Sequence, residues 1–438
     1  MSYKNLLRPG IFLLSTLLLT AAGVAYGQDA AVVEEQSPPY KQNVSVEEPA
    51  EEELQELQRL QQLIAAGGDV NRMDEDGYPP LLNAIENGYT ECVRFLLSTP
   101  GIDVNRANKW GDTPLTRAAW IGHEECVRLL LAAPGIDVNL ADEEGTPPLY
   151  YAVVNDHPEC VRLLLAAPGI DVNKENEEGD TALHWAAGCG HTDCLELLLA
   201  APGIDVSEWP PLFHAILHHD SGRVKELILT GEDVNRAHIA GLTPLRLAAG
   251  CGYVDCVRIL LTAPGIDVNK ATAEGSTPLH EAAFNGHAEC VQLLLATPGI
   301  KVNPVNENTM TPLHWAAHHG HTECMQLLLA APGIDANFAD EAARWTALHI
   351  AAANGHAECV RLLLAVPGIE VNKADKEGSS PLYYAVVNNH PECVRLLLGV
   401  HGIDVNKANK DGKTPLKVAT TQGHTECAEL LRAAGGHE

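Results

Sequence analysis

One short phrase recurs along this chain of 438 residues. It reads HPECVRLLLAAPGIDVN at 157–173 and HPECVRLLLGVHGIDVN at 390–406, and variants of it fill most of the sequence. A second landmark, the leucine of TPL or a close variant, recurs at a usual spacing of 34 residues, at positions 81, 115, 149, 183, 212, 245, 279, 313, 348, 382 and 416. A block this short cannot bury its apolar face alone, so stacked copies must cover one another. The spacing therefore predicts a solenoid.

The residues of one unit, 111–139, predict its local structure. Thr113 is a good N-cap, and Pro114 suits the first helical position, where its missing N–H costs nothing. Apolar residues then recur at helical spacing until Gly122, which ends the first helix. A second apolar stripe runs to Pro134, after which IDVN continues in an extended conformation toward a glycine turn. Each unit is therefore expected to be a turn followed by two short antiparallel helices.

These patterns resemble the ankyrin repeat family over roughly residues 55–438. The resemblance rests on TPLH at 277–280 and 311–314, on TALH at 181–184 and 346–349, and on the surrounding AA, GH, LLL and DVN segments. It implies an all-α fold, an ankyrin-repeat solenoid of about eleven helix-turn-helix units with β-turn fingers. It also implies that the turn tips and first-helix ends line a concave surface that binds proteins.

The first 53 residues do not share the repeat. Residues 1–27 combine Lys4, Arg8 and an apolar run with small residues before Gln28, the layout of a cleaved signal peptide. An uncleaved membrane anchor is the alternative, but the apolar run is short for a span. Residues 28–53 are acidic and poor in large apolar side chains, which predicts a disordered linker. The mature chain is therefore expected to be exported, either periplasmic or secreted, without a membrane span.

One irregular repeat divides the array. After Val206 the chain reads SEWPPLFHAILHHDSGRVKELILTGEDVN, which lacks both the turn before its first helix and the APGI loop. We therefore assign an N-terminal array with its cap to 54–206 and a C-terminal array, ending in a polar cap, to 207–438. Because the stability of a solenoid is a sum over neighbouring repeats, weaker coupling is expected near 207–212.

The formal net charge of -29 argues against nucleic acid or an anionic membrane surface as a partner. A protein partner with a basic surface fits this charge better. The chain is expected to be monomeric and to need no cofactor.

Cysteines and histidines are numerous, but their positions indicate structural roles. Ten of the 12 cysteines occupy one equivalent place in the second helix. Equivalent atoms of stacked helices lie about 8–10 Å apart, too far for a disulfide, so these cysteines are expected to be small buried hydrophobic residues. His314 and His318 are four residues apart, the spacing of a metal pair, but no thiolate or carboxylate is placed to complete a site. A metal-binding or enzymatic role on the solenoid is the third function considered.

The candidate binding residues are those that vary while the framework repeats. Large side chains at turn tips and first-helix ends favour protein binding, since exposed aromatic residues are typical of interface anchors. Neutral drift at solvent positions is the alternative, and a structural spacer or surface stalk is the corresponding second function. The predicted concave-face residues are Trp110, Asp112, Trp120, Ile121, Glu143, Glu144, Asn155, Glu177, Glu178, Asp180, Phe284, Asn285, Met310, His318, His319 and Trp345.

Overall fold

The fold was examined in a computed structural model, which describes residues 51–177, 179–207, 209–238 and 241–437. The predicted signal peptide and almost all of the predicted linker lie outside these residues. The described part contains 23 α-helices and, beyond them, one isolated β-bridge between Ala339 and Thr346. The predicted all-α class is therefore confirmed.

The described residues form two compact units. The N-terminal unit ends at His218 and contains α1 (Glu51–Ala65), α2 (Pro80–Glu86), α3 (Thr90–Leu97), α4 (Pro114–Ile121), α5 (Glu124–Leu131), α6 (Pro148–Val154), α7 (Pro158–Leu165), α8 (Ala182–Cys189), α9 (Thr192–Leu199) and α10 (Pro211–Leu217). Within it, the first helices α2, α4 and α6 each pack against the second helix of their own repeat and against the first helix of the next repeat.

The C-terminal unit begins at His219. It contains α11 (Ser221–Leu229), α12 (Pro244–Gly250), α13 (Val254–Leu260), α14 (Pro278–Phe284), α15 (Ala288–Leu295), α16 (Pro312–His319), α17 (Thr322–Ala330), α18 (Ala347–Ala353), α19 (Ala357–Leu364), α20 (Pro381–Val387), α21 (Pro391–Leu398), α22 (Pro415–Gln422) and α23 (Thr425–Ala433). Its repeats pack in the same pattern of first and second helices.

The division between the units falls after His218, whereas the sequence pattern places it between 206 and 207. Trp209 is 6% exposed and stacks on His184 of the preceding repeat, with ring centroids 5.2 Å apart. This contact ties the start of α10 to the N-terminal unit. The expected weak coupling near 207–212 stays a prediction.

Helix boundaries follow the local signals of the sequence. At α4, the Thr113 hydroxyl accepts a hydrogen bond from the Thr116 amide at 3.1 Å, and Pro114 is the first helical residue. The helix ends at Gly122, whose φ of 80° lies in the left-handed region that glycine adopts without strain. On the inner side of this helix, Ala118 and Ala119 are fully buried.

The DVN asparagines connect each repeat to the next. Asn71 donates its side-chain N–H to the Gly101 carbonyl at 2.8 Å, and its Oδ1 accepts the Asp103 N–H at 2.8 Å. The same pair of bonds recurs at Asn105, Asn139, Asn173, Asn235, Asn269, Asn303, Asn337, Asn372 and Asn406. One amide thus satisfies a donor and an acceptor of the neighbouring turn. The irregular repeat has Ser207 at this place, and a hydroxyl is too short to make both bonds.

The histidines of the GH segments, which directly precede the second helices, form a second connection between neighbouring repeats. His356 donates Nε2–H to the His318 carbonyl at the end of the previous first helix, at 2.9 Å. Its ring lies against Gly320, where a Cβ would come within 2.6 Å of the imidazole. Glycine is therefore required at position 320 both for its φ of +72° and for the close approach of the ring.

Two repeats have an acid or amide in place of that glycine. Asp156 and Asn389 adopt φ values of 52° and 56°, which these residue types tolerate better than most. The histidine of the following repeat then bonds through Nδ1 instead, as His191 does to the Val153 carbonyl at 2.7 Å. The thiol of Cys194 donates to Asp156 Oδ1 at 3.4 Å. The substitution is thus accommodated by rotation of one neighbouring ring.

The cysteines are unpaired, as their spacing predicts. None of the 12 is in a disulfide, and all but the half-buried Cys189 are buried. Burial raises the pKa of Cys126, Cys160 and Cys290 to about 12. Their thiols are therefore protonated and inaccessible in the fold.

A thiol titration follows from this burial. In native protein at pH 8, a maleimide reagent should label no cysteine rapidly except Cys189, because the other thiols are buried in the fold. In denaturant without reductant, all 12 should be labelled. Mass spectrometry of the labelled peptides distinguishes the positions, and intrachain disulfides in the native chain would contradict the stacking.

Candidate functional site

Within each unit, the variable residues belong to the turn tips and to the outward positions of the first helices, which together we call the turn-helix face. Neighbouring tips are joined edge to edge by backbone hydrogen bonds. Within the C-terminal unit, the Glu307 N–H donates to the Glu274 carbonyl and the Lys410 N–H to the Glu377 carbonyl, both at 2.8 Å. Each tip is therefore a rigid platform for its side chains.

Trp110 occupies one tip of the N-terminal unit and is half-buried. Its ring meets Tyr78 of the previous repeat edge-on, with centroids 5.3 Å apart. The Lys109 ammonium lies 4.0 Å from the centroid of the indole. This tip therefore presents a small aromatic surface with one cation of its own.

Trp120 lies at the other end of α4 and is also half-buried, as is the adjacent Ile121. The Arg117 guanidinium covers its ring at 4.2 Å, and Arg117 is held by both carboxylate oxygens of Glu86 in the previous repeat. Six helical residues separate the N-cap, Thr113, from Trp120, which corresponds to a rise of about 9 Å along the helix axis. The two tryptophans therefore sit in separate contacts at opposite ends of one helix and do not form a single aromatic patch.

Acidic side chains continue the face beyond these rings. Glu143, Glu144 and Glu177 are exposed at the next two tips, and Glu178 lies outside the described residues. Asp112 is half-buried, accepts a hydrogen bond from Asn108 at 2.9 Å, and has a pKa raised by burial. Burial also raises the pKa of half-buried Asp180. The exposed glutamates thus give this end of the face a negative rim.

Asn155 has a local structural role. Its side-chain N–H donates to the Tyr151 carbonyl at the end of α6, at 3.1 Å. Asn285 does the same to the Glu281 carbonyl at 3.2 Å. The amide groups of both residues are therefore partly used in ending a helix.

Three predicted surface residues of the C-terminal unit are buried, so their prediction as exposed residues is wrong. Met310 is 5% exposed, because its turn has no glycine and folds through Thr309 at a φ of 57°, which places Met310 against the neighbouring repeat. Trp345 is 4% exposed, since its longer loop brings the ring to within 4.4 Å of Tyr384 and its Nε1–H to Asp375. His318 is 7% exposed.

The remaining predicted residues of this unit form an aromatic cluster with a residue that the sequence pattern did not single out. Phe284 meets Trp315 of the next repeat edge-on at 5.1 Å, and the exposed His319 lies 4.4 Å from Phe284. His318 adjoins His319, with ring centroids 4.7 Å apart. Trp315 lies two residues after the TPL leucine. The residue at this position varies among repeats, which place Arg117, Tyr151, Trp185 and Trp315 there.

In the pair of histidines considered for metal binding, both ring nitrogens of His314 are used in hydrogen bonds. Its Nδ1 accepts the Thr311 amide at 3.2 Å, and its Nε2–H donates to the Trp345 carbonyl at 3.3 Å. Over the described ranges, no three His, Cys, Asp or Glu side chains are placed to hold a metal ion. Within the same part of the chain, no helix is long and apolar enough to cross a bilayer.

The chain is similar to a protein family model and to two solved structures. A family model described as ankyrin repeats (3 copies) matches residues 52–142, 134–208, 212–306, 299–375 and 367–437. The human ASB11 ankyrin repeat domain is 30% identical over 52% of this chain and 99% of its own, with a TM-score of 0.46. The ankyrin repeat domain of Bcl-3, described as a unique member of the IkappaB protein family, is 29% identical over 51% of this chain and 99% of its own, also with a TM-score of 0.46.

No curated protein matches the chain. The family model nevertheless covers nearly all of the described residues, and its matches coincide with the helix pairs, the DVN turns and the TPLH caps described above. The chain therefore belongs to the ankyrin repeat family.

Proposed function

We propose that this protein is a non-catalytic scaffold that binds a protein partner through the turn-helix face. Ankyrin repeat domains typically mediate protein–protein interaction. The observation that carries the proposal is the contrast within each repeat: the bonding framework is nearly constant, while turn tips and first-helix ends carry large, half-exposed and different side chains.

The N-terminal unit supports a partner with a basic surface. Trp110 offers aromatic area, and exposed Glu143, Glu144 and Glu177 lie beside it on the following tips. An apolar centre with an acidic rim suits a segment that carries lysine or arginine around an apolar residue. The location that we propose is outside the cytoplasm, periplasmic or secreted, which rests on the signal-peptide pattern of residues 1–27.

Alanine variants of the two tryptophans test the binding face. Trp110→Ala with Trp120→Ala should weaken binding by about 2 kcal/mol or more if these rings are interface anchors. Partner capture from an extract of the producing cells, followed by titration against the purified partner, measures the change. Circular dichroism should show an intact array, because neither ring is part of the buried core.

A matched control lies on the outer helices. Glu125 and Arg128 form an exposed ion pair at 3.2 Å, and their replacement by alanine should leave binding unchanged. Changing Glu143, Glu144 and Glu177 to glutamine should mainly slow association and reduce its salt dependence. If the outer pair proved essential and the tryptophans dispensable, the wrong face would have been assigned. If no saturable partner were found, the structural spacer would be favoured.

A further inference from the structure

Two tryptophans of the turn-helix face in the N-terminal unit, Trp110 and Trp120, are each covered by a cation of the same chain. Lys109 lies 4.0 Å from the centroid of Trp110, and Arg117 lies 4.2 Å from that of Trp120. A cation over an indole is attracted by the negative face of the ring, and arginine is the commonest donor of such contacts. The chain thus shows which chemical group its face tryptophans accept.

The C-terminal unit has an aromatic pair at the corresponding place. Counted from the TPL leucine, Trp315 occupies the position of Arg117, and Phe284 occupies that of Glu86 in the preceding repeat. The ion pair of the N-terminal unit is therefore replaced by two rings 5.1 Å apart at an interplanar angle of 70°. Among the described residues, no side chain of the chain places a cation over either ring.

His318 supplies an unused polar group beside these rings. It is 7% exposed, it contacts Trp315 at 6.0 Å, and within the described part of the chain neither ring nitrogen has a hydrogen-bond partner. Burial lowers its pKa to about 4, so the ring is neutral at pH 7 and one nitrogen carries a free lone pair. A buried polar group without a partner costs free energy, which a suitable ligand would recover.

The turn tips of the same three repeats lie at the other end of the first helices from the cluster. These turns expose Glu274, Glu307 and Glu341, against the exposed cations Lys301 and Arg344. Arg246 does not alter this balance, because it pairs with buried Glu281 at 2.8 Å. Together with the chain's net charge of -29, this excess of acidic groups would attract a positively charged side chain of a partner to this unit.

We propose that Phe284, Trp315, His318 and His319 form a subsite for an arginine side chain of the partner. The guanidinium stacks on Trp315, as Arg117 does on Trp120, with Phe284 against its edge, and donates one N–H to the free nitrogen of His318. Exposed His319, whose centroid is 4.7 Å from that of His318, rotates aside to admit it. Arginine fits better than lysine, since its planar fork stacks and donates hydrogen bonds together. This inference rests on the proposed function and names the residue that the partner contributes.

Small probes test the subsite without the natural partner. Nα-acetyl-arginine methylamide is titrated into the full chain while indole N–H resonances are followed by NMR, with assignment from Trp→Phe variants. The neutral isostere Nα-acetyl-citrulline methylamide is the control. The Trp315 signal should shift saturably with the arginine probe, at an affinity about tenfold above that of citrulline. The signals of Trp110 and Trp120 should not shift in this way, since their faces are occupied.

Two variants make the test specific. Arg117→Ala uncovers Trp120 and should create a second arginine-responsive tryptophan. His318→Phe keeps an aromatic ring but removes the acceptor, and should weaken the Trp315 response severalfold. Equal responses to arginine and citrulline, or no response of Trp315, would overturn the subsite. Because no partner protein is involved, these results are independent of the Trp110 and Trp120 experiment, whose failure would instead disprove the proposed face of the N-terminal unit.

Discussion

Lowering the pH from 7 to 5 should destabilise the C-terminal unit, and about 6 kcal/mol of the loss should come from three buried histidines that resist protonation in the fold. These are His280, His314 and His349, each at most 1% exposed. Each is the histidine of a TPLH or TALH segment and sits in the first turn of its helix. The effect is the largest that we expect for a change of conditions short of denaturant.

The hydrogen bonds of these rings explain why the neutral form is required. In His280, Nδ1 accepts the Thr277 amide at 3.1 Å, and Nε2–H donates to the Met310 carbonyl of the next repeat at 3.1 Å. His314 and His349 make the equivalent bonds. A protonated Nδ1 would point a hydrogen at an amide N–H. Desolvation by burial is the largest cause that lowers the pKa of each ring to about 4.

The sign of the pH effect follows from the two pKa values. An unfolded histidine titrates at a pKa of about 6.5, so above that pH both states are neutral and the capping bonds contribute fully. Between pH 6.5 and 4 only the unfolded chain takes up protons, and the free energy of unfolding falls. At pH 5 the loss is about 2 kcal/mol for each ring, and it levels off below pH 4.

A matched variant with threonine in place of these histidines is available, because one repeat of the chain already has threonine there. Thr116 occupies the histidine position in α4, and it makes the same reciprocal bonds with Thr113, at 2.7 and 3.1 Å. The triple variant His280→Thr, His314→Thr and His349→Thr should be less stable at pH 7, since it loses the bonds to the next repeat. Its unfolding by urea, followed by circular dichroism, should lose about 6 kcal/mol of the pH dependence between pH 7 and 5, while the contribution of His318 remains. An undiminished pH dependence would show that these rings are not its source.

Replacing Gly320 by alanine should cost about 3 kcal/mol of stability, from backbone strain and from displacement of a neighbouring ring. Gly320 has a φ of +72°, and a Cβ there would come within 2.6 Å of His356 Nδ1. The ring would have to move, and its 2.9 Å bond to the His318 carbonyl would be lost. Thermal or urea unfolding of the variant measures the change.

Two controls separate the ring contact from the backbone strain. Gly423 ends α22 with a similar φ of +75°, but a Cβ there has nothing within 4 Å, so Gly423→Ala should cost only about 1 kcal/mol. In a His356→Ala background, Gly320→Ala should likewise cost about 1 kcal/mol, the strain alone. If Gly320→Ala were as costly without the imidazole as with it, the ring would not be the obstacle.

Much of the fold follows from local sequence signals. The Thr–Pro pair at 113–114 and Gly122 mark the ends of α4, and the ten equivalent cysteines are buried and unpaired as their spacing predicts. These features depend on residues within one turn of helix or on an evenly spaced repeat. The same local reasoning does not show that Asn71 and His356 join neighbouring repeats, because their partners lie 30 or more residues away.

The candidate site was less predictable from sequence. Trp110 and the exposed glutamates occupy the surface as expected, but Met310, His318 and Trp345 are buried, and Trp315 joins the face without having been expected there. An outward position on a first helix is exposed or covered according to the residue that the next repeat places beside it. Arg117 covers Trp120, for example, whereas Phe284 and Trp315 pair with each other.

The amino-acid sequence by itself determined the repeat, its two helices and their ends, because caps, prolines, glycines and apolar spacing act over a few residues. Only the tertiary structure decided which variable side chains reach solvent, which histidines are held neutral, and where the two compact units divide. Those outcomes depend on contacts between stacked repeats, and in a solenoid each contact is set by the shape and charge of a neighbour about one repeat away along the chain.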